Sequence, residues 1–217
     1  MMSTIFQKSQ RLSTDVPLVE QSDEALLLRY RDDGDRQAFE TLVHRYEKEL
    51  YSYLRRYLND PTQAEDVFQA TFLQVHLKCK QFESDKKVRP WLYTIATNQA
   101  IDSQRRNRRH RMLSLDRKNT QEGEDNVAGL VDILVNKTAS PHGQMESAER
   151  VHWIRNAVAS LPESLRTAVA LIYYQGLKYR EAAEVLSIPV GTVKSRLHTA
   201  ILKLNEAWQR TDMSGDK

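Results

Sequence analysis

Residues 176–204, GLKYREAAEVLSIPVGTVKSRLHTAILKL, constrain this chain more than any other stretch. Tyr179 to Leu186 has the spacing of a short amphipathic helix, with Ala182, Ala183, Val185 and Leu186 available for packing. Ser187-Ile188-Pro189 ends it, because Pro189 has no amide proton and holds Ile188 in extended geometry. Val190, Val193, Leu197, Ile201 and Leu204 then recur at helical spacing and face a core. Gly191, Lys194, Ser195 and His198 are left on the opposite, polar side. Two short helices meeting at a tight turn have the plan of a helix-turn-helix, whose second helix fits a DNA major groove. A plain helical hairpin satisfies the same pattern.

The rest of the chain also reads as helix. Only seven glycines and six prolines occur in 217 residues, and no segment keeps a strand alternation. Residues 1–21 are polar and aperiodic, and are expected to form a loose tail. Ser22 or Asp23 can cap a short helix, and Asp35 the next, on which Phe39, Leu42, Val43, Tyr46, Leu50 and Leu54 form one stripe. Asp60-Pro61 supplies a cap and a first-turn proline for a third helix, lined inside by Ala64, Val67, Phe68, Thr71, Phe72 and Val75. A fourth is expected to open at Pro90 and run through Ile101 into an arginine cluster. Periodicity lapses from Leu113 to Glu149, where seven acids face three basic residues, the composition of a flexible acidic linker. It returns at Met145, and a further helix is expected to end on the left-handed cap Gly176.

Charge is localised. The net charge of +3 conceals a window from Lys86 to Arg111 with eight basic residues and one acid, hence +7. Arg105, Arg106, Arg108, Arg109 and Arg111 lie within seven positions at the end of the fourth helix. Cations there suit the helix dipole by about 0.3–1 kcal/mol each, but five exceed capping needs and point to a polyanion. Phe82, Trp91 and Tyr93 are interleaved with this charge in a pattern that suits unpaired bases, although Trp91 and Tyr93 serve equally as core.

Other chemistries find little support. One cysteine excludes an internal disulfide or a multi-cysteine zinc site, and His76 with Cys79 is too few ligands for a metal. The six histidines share no ligand spacing, and Glu65-Asp66, being adjacent, project apart, so no catalytic residue, metal or cofactor is expected. No apolar run approaches the roughly 20 residues that span a bilayer, and no leader pattern is present, so no membrane insertion and a cytoplasmic location are expected.

The segments AFETLVHRYEKELYSYLRRYL, DPTQAEDVFQATFLQVHLK and FESDKKVRPWLYTIATNQAIDSQRR resemble region two of bacterial sigma factors. LPESLRTAVALIYYQGLKYREAAEVLSIPVGTVKSRLHTAILKL resembles region four. With two regions and an acidic linker, the chain is similar to the extracytoplasmic-function group. The resemblance implies an all-α protein of two helical domains: region two over 22–111, a flexible linker over 112–143, region four over 144–210 and a tail over 211–217. It implies a non-enzymatic promoter-specificity subunit at the bacterial nucleoid, with core RNA polymerase, double-stranded and melted promoter DNA and an anti-sigma protein as partners. By position, Glu65, Asp66, Gln69 and Gln74 correspond to the polymerase-binding surface. Phe82, Lys86, Lys87, Arg89, Asn98, Arg105, Arg106, Arg108 and Arg109 correspond to the surface for the upstream-of-start element and its flipped base. Thr192, Lys194, Ser195, Arg196 and His198 correspond to the reader of the distal element.

Three positions depart from the family pattern. Ala70 replaces an acid usual after the core-binding glutamine, Ser187 a frequent turn glycine, and Thr199 and Ile201 the basic residues that often follow the recognition histidine. Fewer cations imply weak duplex affinity and reliance on tethering to polymerase. The competing readings are a stand-alone helix-turn-helix regulator, which leaves the arginine cluster unexplained, and a nuclease, which lacks clustered metal ligands.

Overall fold

The computed structural model describes residues 17–113 and 147–212, with side chains placed for 17–107 and 152–210. Every regular element among the described residues is helical. The first module contains α1 (Asp23–Asp33), α2 (Arg36–Leu58), α3 (Pro61–Lys78) and α4 (Val88–Leu113). The second contains α5 (Ser147–Ser160), α6 (Glu163–Val169), α7 (Tyr179–Leu186) and α8 (Val190–Asp212).

Local chemistry sets the boundaries. The Ser22 hydroxyl accepts the Ala25 amide at the start of α1, and the Asp35 carboxylate accepts those of Gln37 and Ala38 at the start of α2. Asp60 caps α3 through the Gln63 amide, with Pro61 in the first turn where its missing N–H costs nothing. Helix α1 ends on Gly34 at φ 69° and α2 on Asn59 at φ 53°, both left-handed. Helix α4 begins two residues before Pro90, in whose first turn a proline is tolerated.

Leu42, Tyr46, Leu50, Tyr53, Leu54 and Tyr57 bury one face of α2 against α1, α3 and α4. Each buried leucine contributes about 1.5–3 kcal/mol of transfer free energy. The opposing surfaces are Leu26 and Leu27 of α1, Val67, Phe72 and Val75 of α3, and Leu92, Ile95 and Ala96 of α4. The aromatic rings interlock, with Phe39 edge-on to Phe72 and Tyr53 edge-on to Tyr93. Residues 17–21 depart from the expected loose tail. Leu18–Glu20 forms a 3-10 turn, tied down because the Arg45 guanidinium donates to the carbonyls of Leu18, Val19 and Gln21.

In the second module, α8 packs against α5, α6 and α7. Helix α6 runs straight into a π turn, Ala170–Tyr174, in which the Gln175 amide reaches back five residues to the Ala170 carbonyl. Gly176 closes this turn at φ 62°, as the sequence predicts. The modules touch: α7 lies against α4, and the π turn lies against α2. The expected linker, apart from its first two positions at the end of α4, falls outside the described residues, together with residues 1–16 and 213–217.

Candidate nucleic-acid interface

The helix-turn-helix is built around Ser187. Its backbone is left-handed at φ 52°, and the Ile188 amide reaches back to the Ala183 carbonyl at 3.0 Å, satisfying a carbonyl that α7 leaves open. At the other end of α7, the Glu181 carboxylate accepts the Lys178 amide at 2.7 Å. The turn releases the chain into α8, whose Val193, Leu197, Ala200 and Leu204 are buried while Gly191, Lys194, Ser195 and His198 are exposed. Thr192 and Arg196 are half-buried at the edges of that outer face.

Hydroxyls on this face are partly committed. Ser195 donates to the Thr192 carbonyl and Thr199 to that of Ser195, so both offer lone pairs rather than protons outward. Tyr179 was not singled out by spacing. Its ring is 43% exposed and stands beside Lys194, whose Nζ lies 5.9 Å from the ring centroid. That contact steers a flexible ammonium toward the helix-turn-helix surface.

The arginine-rich helix α4 divides into two environments. Arg106 is exposed near its C-terminal end; the side chains of Arg108 and Arg109 lie outside the described ones. Lys86 and Lys87 are exposed on the α3–α4 loop, 3.8 Å from Glu83 and 3.7 Å from Glu24 respectively. Asn98 is exposed on α4, turned to solvent. Arg105 pairs with Glu163 of the second module at 2.9 Å. Arg89 is more deeply engaged: one guanidinium nitrogen lies 2.5 Å from the Glu49 carboxylate and 2.9 Å from the Gln175 carbonyl. Burial would weaken its charge, but the Glu49 bond outweighs this and raises its pKa above the ordinary value.

Two aromatic expectations change. Phe82 is not an open wall: it is 3% exposed, its ring centroid 5.1 Å from that of Trp91, and its carbonyl accepts from Arg31. A ring sandwiched this way supports a surface from behind and offers no face for stacking. Tyr93 is core, fully buried, its hydroxyl 2.8 Å from Glu49 Oε1 and 2.7 Å from Gln175 Oε1.

On α3, Glu65, Asp66 and Gln69 are exposed and Gln74 half-buried, with the Gln69 amide donating to Glu65 at 3.0 Å. Beside them stand two leucines that spacing alone did not select. Leu73 is 57% and Leu77 59% exposed, four residues apart and in line with Glu65 and Gln69. An acidic and polar ridge that ends in two open leucines is a protein-binding surface in chemistry, since isolated solvation favours neither leucine.

Comparison with known proteins agrees with this division. The sigma-70 region 2 family matches residues 42–110, and sigma-70, region 4 matches residues 152–204. The chain is 33% identical over 165 residues to the ECF RNA polymerase sigma factor SigW of Bacillus subtilis, covering 76% of this chain and 86% of that one. It is 32% identical over 193 residues to the RNA polymerase sigma-H factor of Pseudomonas aeruginosa, covering 88% and 96%. Its fold is like that of the sigma factor RpoE solved in complex with the anti-sigma factor NepR from Bartonella quintana, with TM-score 0.58 and 22% identity over 79% of this chain and 96% of that one. The chain therefore belongs to the extracytoplasmic-function sigma factors, the promoter-specificity subunits of bacterial RNA polymerase. No helix among the described residues is long and apolar enough to cross a membrane.

Proposed function

We propose that this chain divides its work as an initiation factor among three surfaces. The α3 ridge, Glu65, Asp66, Gln69 and Gln74, with Leu73 and Leu77 added, docks on core RNA polymerase. The α3–α4 loop and the outer part of α4, with Lys86, Lys87, Asn98 and Arg106, take the melted strand; Arg89, Arg105, Arg108 and Arg109 extend that basic track, and Phe82 backs the pocket for the flipped base. The outer face of α8, with Thr192, Lys194, Ser195, Arg196 and His198, reads the distal duplex element. The chain itself catalyses nothing; the polymerase performs the chemistry at the nucleoid.

The observation that carries the reading is the outward face of α8. Lys194, Ser195 and His198 are exposed on one side while Val193, Leu197 and Leu204 are buried on the other, within a chain that also carries the matched first module. A stand-alone regulator has no use for that module. Phosphate contacts by the lysines and arginines position the strand, and base edges met by Asn98 and the α8 face supply sequence information. An anti-sigma partner fits the same picture: the neighbour from Bartonella quintana is held by one.

Reconstitution with core polymerase and a promoter-bearing template tests the assignment. The parent is expected to co-migrate with core and start transcripts from defined sites. A folded Glu65→Ala, Asp66→Ala, Gln69→Ala variant is expected to lose both. Unimpaired transcription by that variant removes the α3 ridge from the map.

A further inference from the structure

The two modules are joined by a seam that is almost wholly polar. Glu49 of α2 and Arg89 and Tyr93 of α4 meet Gln175, at the end of the π turn, in one cluster of hydrogen bonds. The Tyr57 hydroxyl lies 2.9 Å from that of Thr167, which itself donates to the Glu163 carbonyl. Gln104 donates to the Tyr57 carbonyl and accepts from Arg166, whose guanidinium also lies 5.3 Å from the Tyr57 ring centroid. At the rim, Glu163 holds Arg105. Polar surfaces of this kind between domains of one chain open and close readily, unlike an apolar core.

The cations held here are two of those assigned to DNA. We infer that the seam is a latch in which the second module acts as an internal stand-in for phosphate: the Glu163 carboxylate and the Gln175 carbonyl hold Arg105 and Arg89, with Glu49, and withhold them from a nucleic-acid strand. The same docking lays α7 along α4, so the closed chain covers part of the helix that takes the strand. Closing the latch and engaging melted DNA through Arg89 and Arg105 are mutually exclusive. The withholding rests on the reading of α4 as a DNA surface; the latch itself does not.

Energy transfer between fluorophores on the full chain tests it. Cysteines replace the exposed Lys80 and Gln209, one in each module, in a Cys79→Ser background. The parent is expected to show one high-transfer population. Glu163→Lys with Gln175→Ala is expected to raise the low-transfer fraction about tenfold, the scale of a lost buried hydrogen bond with its neighbouring ion pair. It is also expected to bind a labelled single-stranded oligonucleotide about tenfold more tightly at low salt. The milder Glu163→Gln, which keeps the side-chain shape, is expected to shift both by about twofold. Arg105→Glu with Glu163→Arg is expected to restore high transfer. Transfer unchanged in both latch variants, with their helicity intact, overturns the latch. Transfer lost with oligonucleotide affinity unchanged overturns the withholding. An Arg106→Ala chain that binds the oligonucleotide as its parent does, together with no promoter-dependent transcript from core polymerase, overturns the α4 reading and the withholding with it, while the transfer result stands.

Discussion

Ser187 carries a conformational cost that a single atom group explains. A Cβ at φ 52° crowds the following carbonyl, and the turn between α7 and α8 still requires that geometry. Ser187→Gly is expected to stabilise the chain by about 0.5–1 kcal/mol, and Ser187→Val to destabilise it by more, as read from chemical-denaturation midpoints. The tyrosines form a second case. Burial first, and then neighbouring Asp23, Tyr57 or Glu49, holds Tyr46, Tyr53 and Tyr93 above the ordinary tyrosine range; burial also raises Tyr57. A group whose pKa is raised on folding favours the folded state fully below its unfolded pKa and loses that contribution as pH climbs. Helicity is therefore expected to hold to about pH 10 and to fall together with rising tyrosinate absorbance above it. The turn at Ser187 was legible from Pro189 two residues on. The tyrosine partners were not, because spacing announces that a ring is buried without naming what its hydroxyl meets.

Among the helices, α3 does two jobs with two faces. Its inner stripe of Ala64, Val67, Thr71, Phe72 and Val75 was readable from periodicity, and all five are buried. Its outer ridge was readable only in part. Glu65, Asp66 and Gln69 stood out as polar, whereas Leu73 and Leu77 fall outside the inner stripe, where a lone leucine carries no signal. Their exposure in line with the acidic residues supplies that signal. Leu73→Glu is expected to change folding stability by less than about 0.5 kcal/mol, since nothing packs on it to be lost. The same change is expected to weaken association with core polymerase by tenfold or more, about 1.4 kcal/mol, measured by competition against the parent. Helix α8 was the most transparent element, because Pro189 fixes its start and every fourth or third residue is apolar.

Across the whole molecule, a net charge of +3 is less informative than where it lies. The basic window from Lys86 to Arg111 predicts binding that salt weakens, and Arg106 is its exposed representative among the described side chains. Arg106→Ala is expected to lessen the slope of log affinity against log salt by about 0.7 for a single strand, the share of one phosphate. Module order and helix content were legible from 3.6-residue periodicity. The pairing of Tyr57 with Thr167, or of Arg89 with Gln175, was not, since each joins residues on either side of a segment without periodicity. The π turn at Ala170–Tyr174 bears on what lies beyond it. It holds one residue more than an α-helix would use to cover that length, so deleting a single position there restores ordinary winding. Everything C-terminal to the cut then rotates by about 100°, the angle per residue of an α-helix. A one-codon deletion would thus leave each helix intact yet aim the groove-reading face in a different direction.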